Sequence, residues 1–469
     1  MKEEKNFRRV SKSFSEESPI IEFSTLLIIG AVLLLFCIAC AILFLPLEIT
    51  VGLFISIFGL IVIFINPYFG LLIFVVALFT QPATFFVALQ PFHLVRVLSF
   101  ATLFGWVFNM MITRNFKIVK SPQNFFILGF GFLVLCSSFQ NPDYSFVFFV
   151  EALKVFILVF LIVNLIKNRG LLFIFIWVMV GIGSILSMLA IYQYFHGIGI
   201  VYDDGMSRVT GTLDDPNDFA LHLIIILPLM VYLFREYKTL LLKIILLISS
   251  CLLMLAVVFT YSRGGLLGLS IVLFLLFIQL LFQKQRIRWP YILIAIAVVL
   301  ILIPFIPSKY WQRFMSGNIF QDAAVVGRLQ AWRTGWEMMK DKPFIGTGLA
   351  TFKYLYYPYA PLGLDSHRVI VAHNMFISIG AEIGFFGLAF FLSIIGYAFR
   401  ALHQAQKNFK KRGNSSMSAL SQSLGISLVG FCACSMFLSV EWLSALWILI
   451  ALGTTLKNLS ESGYGGKLI

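Results

Sequence analysis

Charged residues are scarce in this chain. They make up 12% of its 469 residues, while hydrophobic residues make up 60% and the mean hydropathy is +0.95. Soluble domains carry about 25% charged residues, so this scarcity excludes an ordinary soluble globular protein. Apolar blocks of about 17–25 residues recur along the chain, and each is long enough to cross a hydrocarbon core as a helix. The sequence therefore predicts an all-α, polytopic bundle of about 12–14 transmembrane helices.

Several chemical signatures are also missing. The six cysteines all fall inside predicted spans, so we expect small apolar side chains and no disulfide framework, even at the redox-like spacing of Cys37 and Cys40. No cluster of histidine, cysteine and carboxylate residues has metal-ligand spacing, and no Walker A motif or nucleic-acid-binding module is present. We expect no metal, no cofactor and no nucleic-acid partner. A polar stretch, 1–18, precedes the first span without a cleavage site, which predicts no cleaved signal peptide.

The basic residues assign each loop to a side of the membrane. Short loops rich in lysine and arginine usually face the cytoplasm. With fourteen spans, every such cluster falls on one side, which places both termini in the cytoplasm. The predicted spans are 20–45, 50–66, 69–89, 94–112, 124–139, 146–166, 171–193, 218–234, 240–260, 265–282, 290–306, 375–399, 421–438 and 443–456.

Two segments lie on the opposite, external side. Of these, the long loop has an excess of basic residues, which is either incidental or faces an anionic molecule. The predicted organisation is a cytoplasmic tail 1–19, a transmembrane region 20–306 with an external loop 195–217, a long external loop 307–374, C-terminal transmembrane helices 375–456 and a cytoplasmic tail 457–469.

The long loop contains one predicted helix and one glycine-rich stretch. Asp322 can cap the helix and Pro343 ends it. Its apolar residues form a stripe that packs on the membrane domain or dips into the interface. The stripe consists of Val325, Leu329, Trp332, Trp336 and Met339.

The stretch GTGLATF, 346–352, faintly resembles a phosphate-binding loop, but no strand precedes it, so we interpret its glycines as turn residues.

Four polar side chains are predicted to meet at the external face. Arg263 stands at the external end of the ninth span and Arg208 lies in the first external loop. Arg328 lies in the helix of the long loop, and His373 lies where that loop re-enters the membrane. Each has an ordinary alternative when taken alone, because arginines extend to headgroups or water and an interfacial histidine makes local hydrogen bonds.

Together, these groups suit the chemistry of a diphosphate. Permanently charged guanidinium groups bind phosphate oxygens in pairs, and an imidazole with a pKa of about 6.5 accepts protons near neutral pH. We therefore predict that Arg208, Arg263 and Arg328 bind a diphosphate and that His373 is catalytic. The two glycines at 264–265 permit a kink, with free backbone N–H groups beside the guanidinium of Arg263.

The motifs around these residues resemble the O-antigen ligase and O-antigen polymerase superfamily. The resemblance rests on Arg208 followed by DDPND, YSRGG around Arg263, GRLQAW around Arg328 and AHNMF around His373, and it covers roughly residues 192–394. It implies a metal-independent, inverting glycosyltransferase that transfers a glycan from a polyprenyl (undecaprenyl) diphosphate carrier to an acceptor hydroxyl. It also implies a multi-pass protein of the bacterial inner membrane whose active site faces the periplasm.

The resemblance assigns residue roles and leaves the acceptor open. Arg208 and Arg263 match the family's diphosphate-contacting arginines, Arg328 matches the arginine of its external-loop helix, and His373 matches the histidine proposed to activate the acceptor. The expected type is a ligase of lipopolysaccharide biosynthesis, with the lipid A core as acceptor. The alternatives are an O-antigen or exopolysaccharide polymerase and a protein O-oligosaccharyltransferase. From another class, a transporter or flippase for lipid-linked glycans would show internal repeats, and none is seen here.

Five further residues near the predicted site have two interpretations each. They are candidate contacts of the substrate or its cavity, but several also suit turns and helix caps, and Glu382 also suits a contact between helices. These residues are Asp214, Asp215, Asn217, Asn374 and Glu382.

Three other ionisable residues are predicted away from this site. Glu151 and Lys154 share one face of a span, so we expect an ion pair that holds the helices together, with a role in the cavity as the alternative. Glu441 lies between the last two spans and is expected to be exposed.

Overall fold

The structure, a computed structural model, describes residues 57–203, 206–281, 323–360 and 370–462. The chain divides into two compact units, Met1–Ile65 and Asn66–Ile469. In the first unit the described residues, 57–65, are helical. The predicted spans 20–45 and 290–306 lie outside the described residues, as do Cys37 and Cys40.

The described part of the second unit is built from helices and one short hairpin, which confirms the predicted all-α class. The hairpin strands pair antiparallel, with Val201 opposite Arg208. In chain order the elements are α1 (Pro67–Thr80), α2 (Leu94–Thr113), α3 (Pro122–Ser138), α4 (Pro142–Leu165), α5 (Arg169–His196), β1 (Ile200–Asp203), β2 (Met206–Val209), α6 (Pro216–Ile224), α7 (Leu227–Glu236), α8 (Leu240–Phe259), α9 (Arg263–Leu281), α10 (Ala323–Asp341), α11 (Phe352–Tyr359), α12 (Met375–Lys411), α13 (Ser415–Ser435) and α14 (Ser444–Glu461).

Eight candidate spans in the described part of the chain are helical, long and apolar enough to cross a membrane, with α6 and α7 forming one of them. The chain is therefore a multi-pass membrane protein. The predicted span 69–89 is interrupted: it is helical only to Thr80, and two 3₁₀ turns, Pro82–Thr84 and Val87–Phe92, follow it. The reason is Pro82, which lacks the N–H that a continuing helix needs.

Aromatic side chains fill the centre of the bundle. Trp447 of α14 is fully buried, and its ring lies 5.3 Å from Phe156 of α4 and 6.2 Å from Phe130 of α3, measured between ring centroids. The ring of Phe391 of α12 lies 6.3 Å from it. Because lipid tails are as apolar as these side chains, close packing rather than transfer from water stabilises such contacts.

Helix α12 is interrupted at Gly384, whose φ of 81° and ψ of 178° are not helical. The break leaves backbone groups unpaired, and the segment that follows α10 pairs with them. The N–H of Thr347 donates to the carbonyl of Ala381 at 2.9 Å, and the N–H of Phe385 donates to the carbonyl of Pro343 at 2.8 Å. Backbone pairing of this kind is what permits a broken helix inside a membrane protein.

The glycine-rich stretch makes this pairing possible. Gly346 has a φ of +70°, and a Cβ atom there would lie 2.2 Å from the carbonyl carbon of Glu382. The Glu382 carboxylate accepts the N–H groups of Ala350 at 2.9 Å and Phe352 at 3.2 Å. Glycine is therefore required for two backbones to approach, in agreement with the interpretation of turn glycines.

The predicted helix of the long loop is present as α10, and part of the predicted stripe packs on α12. Met339 is 1% exposed and lies against Gly380 of α12, and the ring of Trp336 lies 5.8 Å from the ring of Phe385 in α12. A small residue adds to this contact, because a Cβ atom on Gly335 would lie 2.4 Å from Cγ2 of Ile377 in α12. Packing of the stripe on the membrane domain is therefore confirmed for Met339 and Trp336, whereas Leu329 is 48% exposed.

Candidate functional site

Arg208 is held by two separate segments. It lies on β2 and is half-buried. Its Nε donates to the carbonyl of Thr260 at 3.1 Å, at the end of α8. Its Nη2 donates to Oδ1 of Asn217 at 3.1 Å, in the first turn of α6. These contacts orient the guanidinium group, which is permanently charged.

Asn217 connects Arg208 to the start of α9. Its Oδ1 also accepts the hydroxyl of Ser262 at 2.6 Å, and its Nδ2 donates to Oδ1 of Asp215 at 2.8 Å. Ser262 immediately precedes Arg263. The network therefore links Arg208 to the residue that directly precedes Arg263.

Arg263 is the first residue of α9, whereas the sequence placed it at the end of the preceding span. The chain reverses between α8 and α9 at Tyr261, whose φ of 48° is in the left-handed region. The Ser262 hydroxyl then accepts the N–H of Gly265 at 2.9 Å and caps the new helix. The expectation of a free N–H at Gly265 is therefore wrong. Instead, Gly265 allows close packing, because its Cβ would lie 2.8 Å from that of Ala220.

His373 lies within electrostatic range of two other predicted site residues. It is half-buried and has a φ of 48°. Burial lowers the pKa of His373 below its ordinary value, the positive charge of Arg328 lowers this pKa further, and the negative charge of Asp215 opposes both. A lowered pKa keeps the imidazole neutral at pH 7, which is the form that accepts a proton.

Three helices begin at this site, and each start is capped by a polar side chain. Asp215 accepts the N–H of Asn217 at 2.6 Å at the start of α6, and Ser262 caps α9. Asn374 accepts the N–H groups of Phe376 at 2.9 Å and Ile377 at 3.1 Å at the start of α12. Helix N-termini carry partial positive charge, so their convergence beside arginines favours an anion.

The structure gives most of the five further candidate residues a structural contact. Asp215 and Asn374 cap helices, and Asn217 joins Arg208 to Ser262, so each has a structural contact whether or not it touches a substrate. Asp214 is exposed. Glu382 is buried and joins α12 to the loop backbone, which is the contact between elements given as its alternative.

Glu441 was expected to be exposed, and this prediction is wrong. It lies in the connection between α13 and α14, and only 6% of its surface is exposed. Its Oε1 accepts the hydroxyl of Ser378 of α12 at 2.7 Å. Its Oε2 is buried, and no residue that the structure describes forms a hydrogen bond with it. Burial raises the pKa of Glu441 to about 7, and the Ser378 hydroxyl partly offsets this. The indole N–H of Trp447 in α14 donates to the Glu441 carbonyl at 2.9 Å, which ties this connection to the buried start of α14.

Sequence reasoning missed two members of the Arg208 network. Ser262 was detectable, because a serine directly before an apolar helical run is a typical cap. The role of the Thr260 carbonyl was not detectable, because every residue has a backbone carbonyl. Within the described ranges, no three histidine, cysteine or acidic side chains are arranged to hold a metal ion. A metal-independent site stays a prediction.

The fold is that of a multi-pass helical membrane protein, in which Arg208, Arg263 and His373 lie beside the capped N-termini of α6, α9 and α12. Residues 244–392 match the O-antigen ligase family. The chain is 25% identical over 261 residues to the teichuronic acid biosynthesis protein TuaE of Bacillus subtilis (strain 168), covering 53% of this chain and 52% of that protein. The chain thus spans about half the length of the curated relative it matches. These similarities confirm the resemblance to the O-antigen ligase and polymerase superfamily.

Proposed function

We propose that this protein is an inverting glycosyltransferase that moves a glycan from a polyprenyl diphosphate carrier to an acceptor hydroxyl at the external face of the membrane. The observation that carries this proposal is the network of Arg208, Asn217 and Ser262 beside Arg263. Two chain-distant arginines are thereby positioned at one place, where a diphosphate needs two or more positive groups. His373, with Arg328 nearby, supplies a neutral base at the same place.

The chemistry follows from these assignments. The acceptor hydroxyl gives its proton to the imidazole of His373 while its oxygen forms a bond to the anomeric carbon. The bond from that carbon to the diphosphate oxygen breaks, and its electron pair stays on the diphosphate. Attack from the opposite face inverts the anomeric configuration. The guanidinium groups neutralise the charge that grows on the leaving diphosphate, so the leaving group needs no proton.

The identity of the acceptor distinguishes two forms of this function, a ligase and a polymerase. The sequence resemblance favours transfer to a lipid A core. The relative is named for teichuronic acid biosynthesis rather than for a lipopolysaccharide, and this supports the polymerase alternative, in which the acceptor is a second lipid-linked repeat. Incubating the purified protein with a lipid-linked single repeat alone distinguishes the two: a polymerase lengthens the chain, whereas a ligase needs a separate acceptor.

The decisive test uses purified protein in detergent, with a synthetic polyprenyl diphosphate glycan and no ion gradient. We expect transfer by the wild type and its loss in Arg263→Ala and His373→Ala. Arg328→Ala is compared with Arg333→Ala, which removes an exposed arginine from the same helix. Full transfer by the His373 and Arg263 variants would refute the proposal.

The same assay separates the enzyme from a transporter or flippase. Helix breaks are common at the substrate sites of transporters, and α12 has one at Gly384. Here, however, the protein's own loop backbone pairs with the break at Thr347 and Pro343. A transporter would move the lipid-linked glycan across a vesicle membrane without cleaving its diphosphate bond.

A further inference from the structure

Three charged side chains meet between α2 and α4, helices that carry none of the residues of the arginine–histidine site. Nε of Arg96 donates to Oε1 of Glu151 at 2.6 Å, and Nη2 of Arg96 lies 2.6 Å from the same oxygen. Lys154 pairs with the other oxygen, Oε2, of Glu151. The expected pair of Glu151 and Lys154 is therefore confirmed, and Arg96 joins it from a neighbouring helix. We call these three residues the charged trio.

The charged trio is not electrically neutral. Two cations face one carboxylate, which leaves one positive charge inside the candidate spans Leu89–Thr113 and Pro142–Leu165. In the described part of the chain, neither cation pairs with another carboxylate. An uncompensated charge among transmembrane helices is costly, so such residues usually face a partner or a polar ligand.

A third cation lies on the same side of α4 as the charged trio. The ammonium of Lys353 lies 5.4 Å from the ring centroid of Phe148, one helical turn before Glu151. Its charge adds positive potential between the N-terminal end of α4 and the charged trio.

The charged trio is open at its flank. The side chains of Arg96, Lys154 and Glu151 are 30%, 15% and 35% exposed, and their apolar neighbours Val97 and Val147 are 49% and 59% exposed. Arginine carries five N–H donors and lysine three, and Glu151 takes only some of them. Donors on both cations are therefore left for a ligand that approaches from the surface of the helices.

We propose that the charged trio binds the phosphate group of an anionic lipid, which enters sideways from the bilayer. A lipid phosphodiester carries the single negative charge that neutralises the trio, and its oxygens match the guanidinium and ammonium donors. The position inside candidate spans favours a lipid over a free anion, because the approach from the bilayer is lined by apolar side chains. The charged trio shares no residue with the proposed glycosyltransferase site, and this proposal does not depend on that function.

The test measures lipid retention in protein taken from nanodiscs made of equal parts phosphatidylglycerol and phosphatidylcholine, using native mass spectrometry. Wild type should retain phosphatidylglycerol in preference to phosphatidylcholine. Arg96→Met and Lys154→Met each make the trio neutral and should reduce this preference about fivefold. Glu151→Gln adds positive charge and should raise it. Lys243→Met, which removes a cation from the start of α8, is the matched control and should change nothing.

The opposite effects of Glu151→Gln and Arg96→Met are the decisive result. If the trio only held helices together, all three substitutions would weaken the protein and shift retention in one direction, which would overturn the proposal. Equal retention of the two lipids by wild type would overturn it too. Displacement of phosphatidylglycerol by inorganic phosphate would show that the ligand comes from water, contrary to the proposal; we expect none.

Discussion

Arg208 donates to Asn217 at 3.1 Å, and this bond joins the hairpin strand β2 to the first turn of α6. Asn217 also accepts from Ser262, the residue before Arg263. One amide group therefore organises two of the arginines assigned to the diphosphate, although it carries no charge itself.

Replacing Asn217 by alanine should disorder Arg208 and separate it from Ser262. We expect transfer activity to fall about 100-fold, because a misplacement of about 1 Å at a reacting centre costs that much. The measurement is kcat/KM with a lipid diphosphate glycan. Asn115→Ala, in an exposed connection, is the control and should keep wild-type activity. Unchanged activity in Asn217→Ala would show that Arg208 is positioned by other contacts.

The pH dependence of transfer should report the surroundings of His373. Because the base must be neutral, the rate falls as the pH drops through the folded pKa, which lies below the ordinary histidine value. Arg328→Gln removes a group that lowers this pKa, so the acid limb should move to higher pH. Asp215→Asn removes a group that raises it, so the limb should move to lower pH. Profiles of kcat/KM, each scaled to its own maximum, measure both shifts. Two shifts in the same direction would contradict the assignment of His373.

The close approach at Gly346 should be essential for docking the loop on α12. Gly346→Ala places a Cβ atom 2.2 Å from the backbone of Glu382 and also strains a φ of +70°. Gly413 provides a matched control, because its φ is +71° and a Cβ there would meet nothing within 4 Å. Gly413→Ala should cost about 1 kcal/mol from strain alone. Gly346→Ala should lower the unfolding temperature in detergent much further; equal losses would show that the contact adds nothing.

Glu441 should make stability depend on pH. Its folded pKa is raised from 4.5 to about 7, so the unfolded chain releases this proton first as the pH rises. The contribution of Glu441 to stability is therefore full below about pH 4.5 and declines as the pH rises towards 7. Glu441→Gln keeps an oxygen for Ser378 and has no charge, so it should flatten the decline. The measurement is the unfolding temperature of both proteins across this pH range. The same dependence on pH in both proteins would show that Glu441 does not titrate in this range.

Most of the helices and the identities of the arginines could be predicted from local sequence. Apolar runs of membrane-spanning length and the positions of Pro82 and Pro343 mark helices and their ends, because these signals act within a few residues. The burial of Glu441 and the contact of Gly335 with Ile377 could not be predicted. Both depend on which segments pack against each other, and Gly335 and Ile377 meet across a long stretch of chain.

The sequence by itself determined the membrane class and the helical architecture, and it predicted the four polar groups of the candidate site, since hydropathy and charge are properties of single residues. Only the tertiary structure decided how polar groups and helix breaks are held: Arg208 by Asn217, the broken helix by the loop at Gly346, and Glu151 by a second partner, Arg96. Hydrogen bonds and backbone approaches require distances of a few ångströms, and folding alone brings distant segments that close.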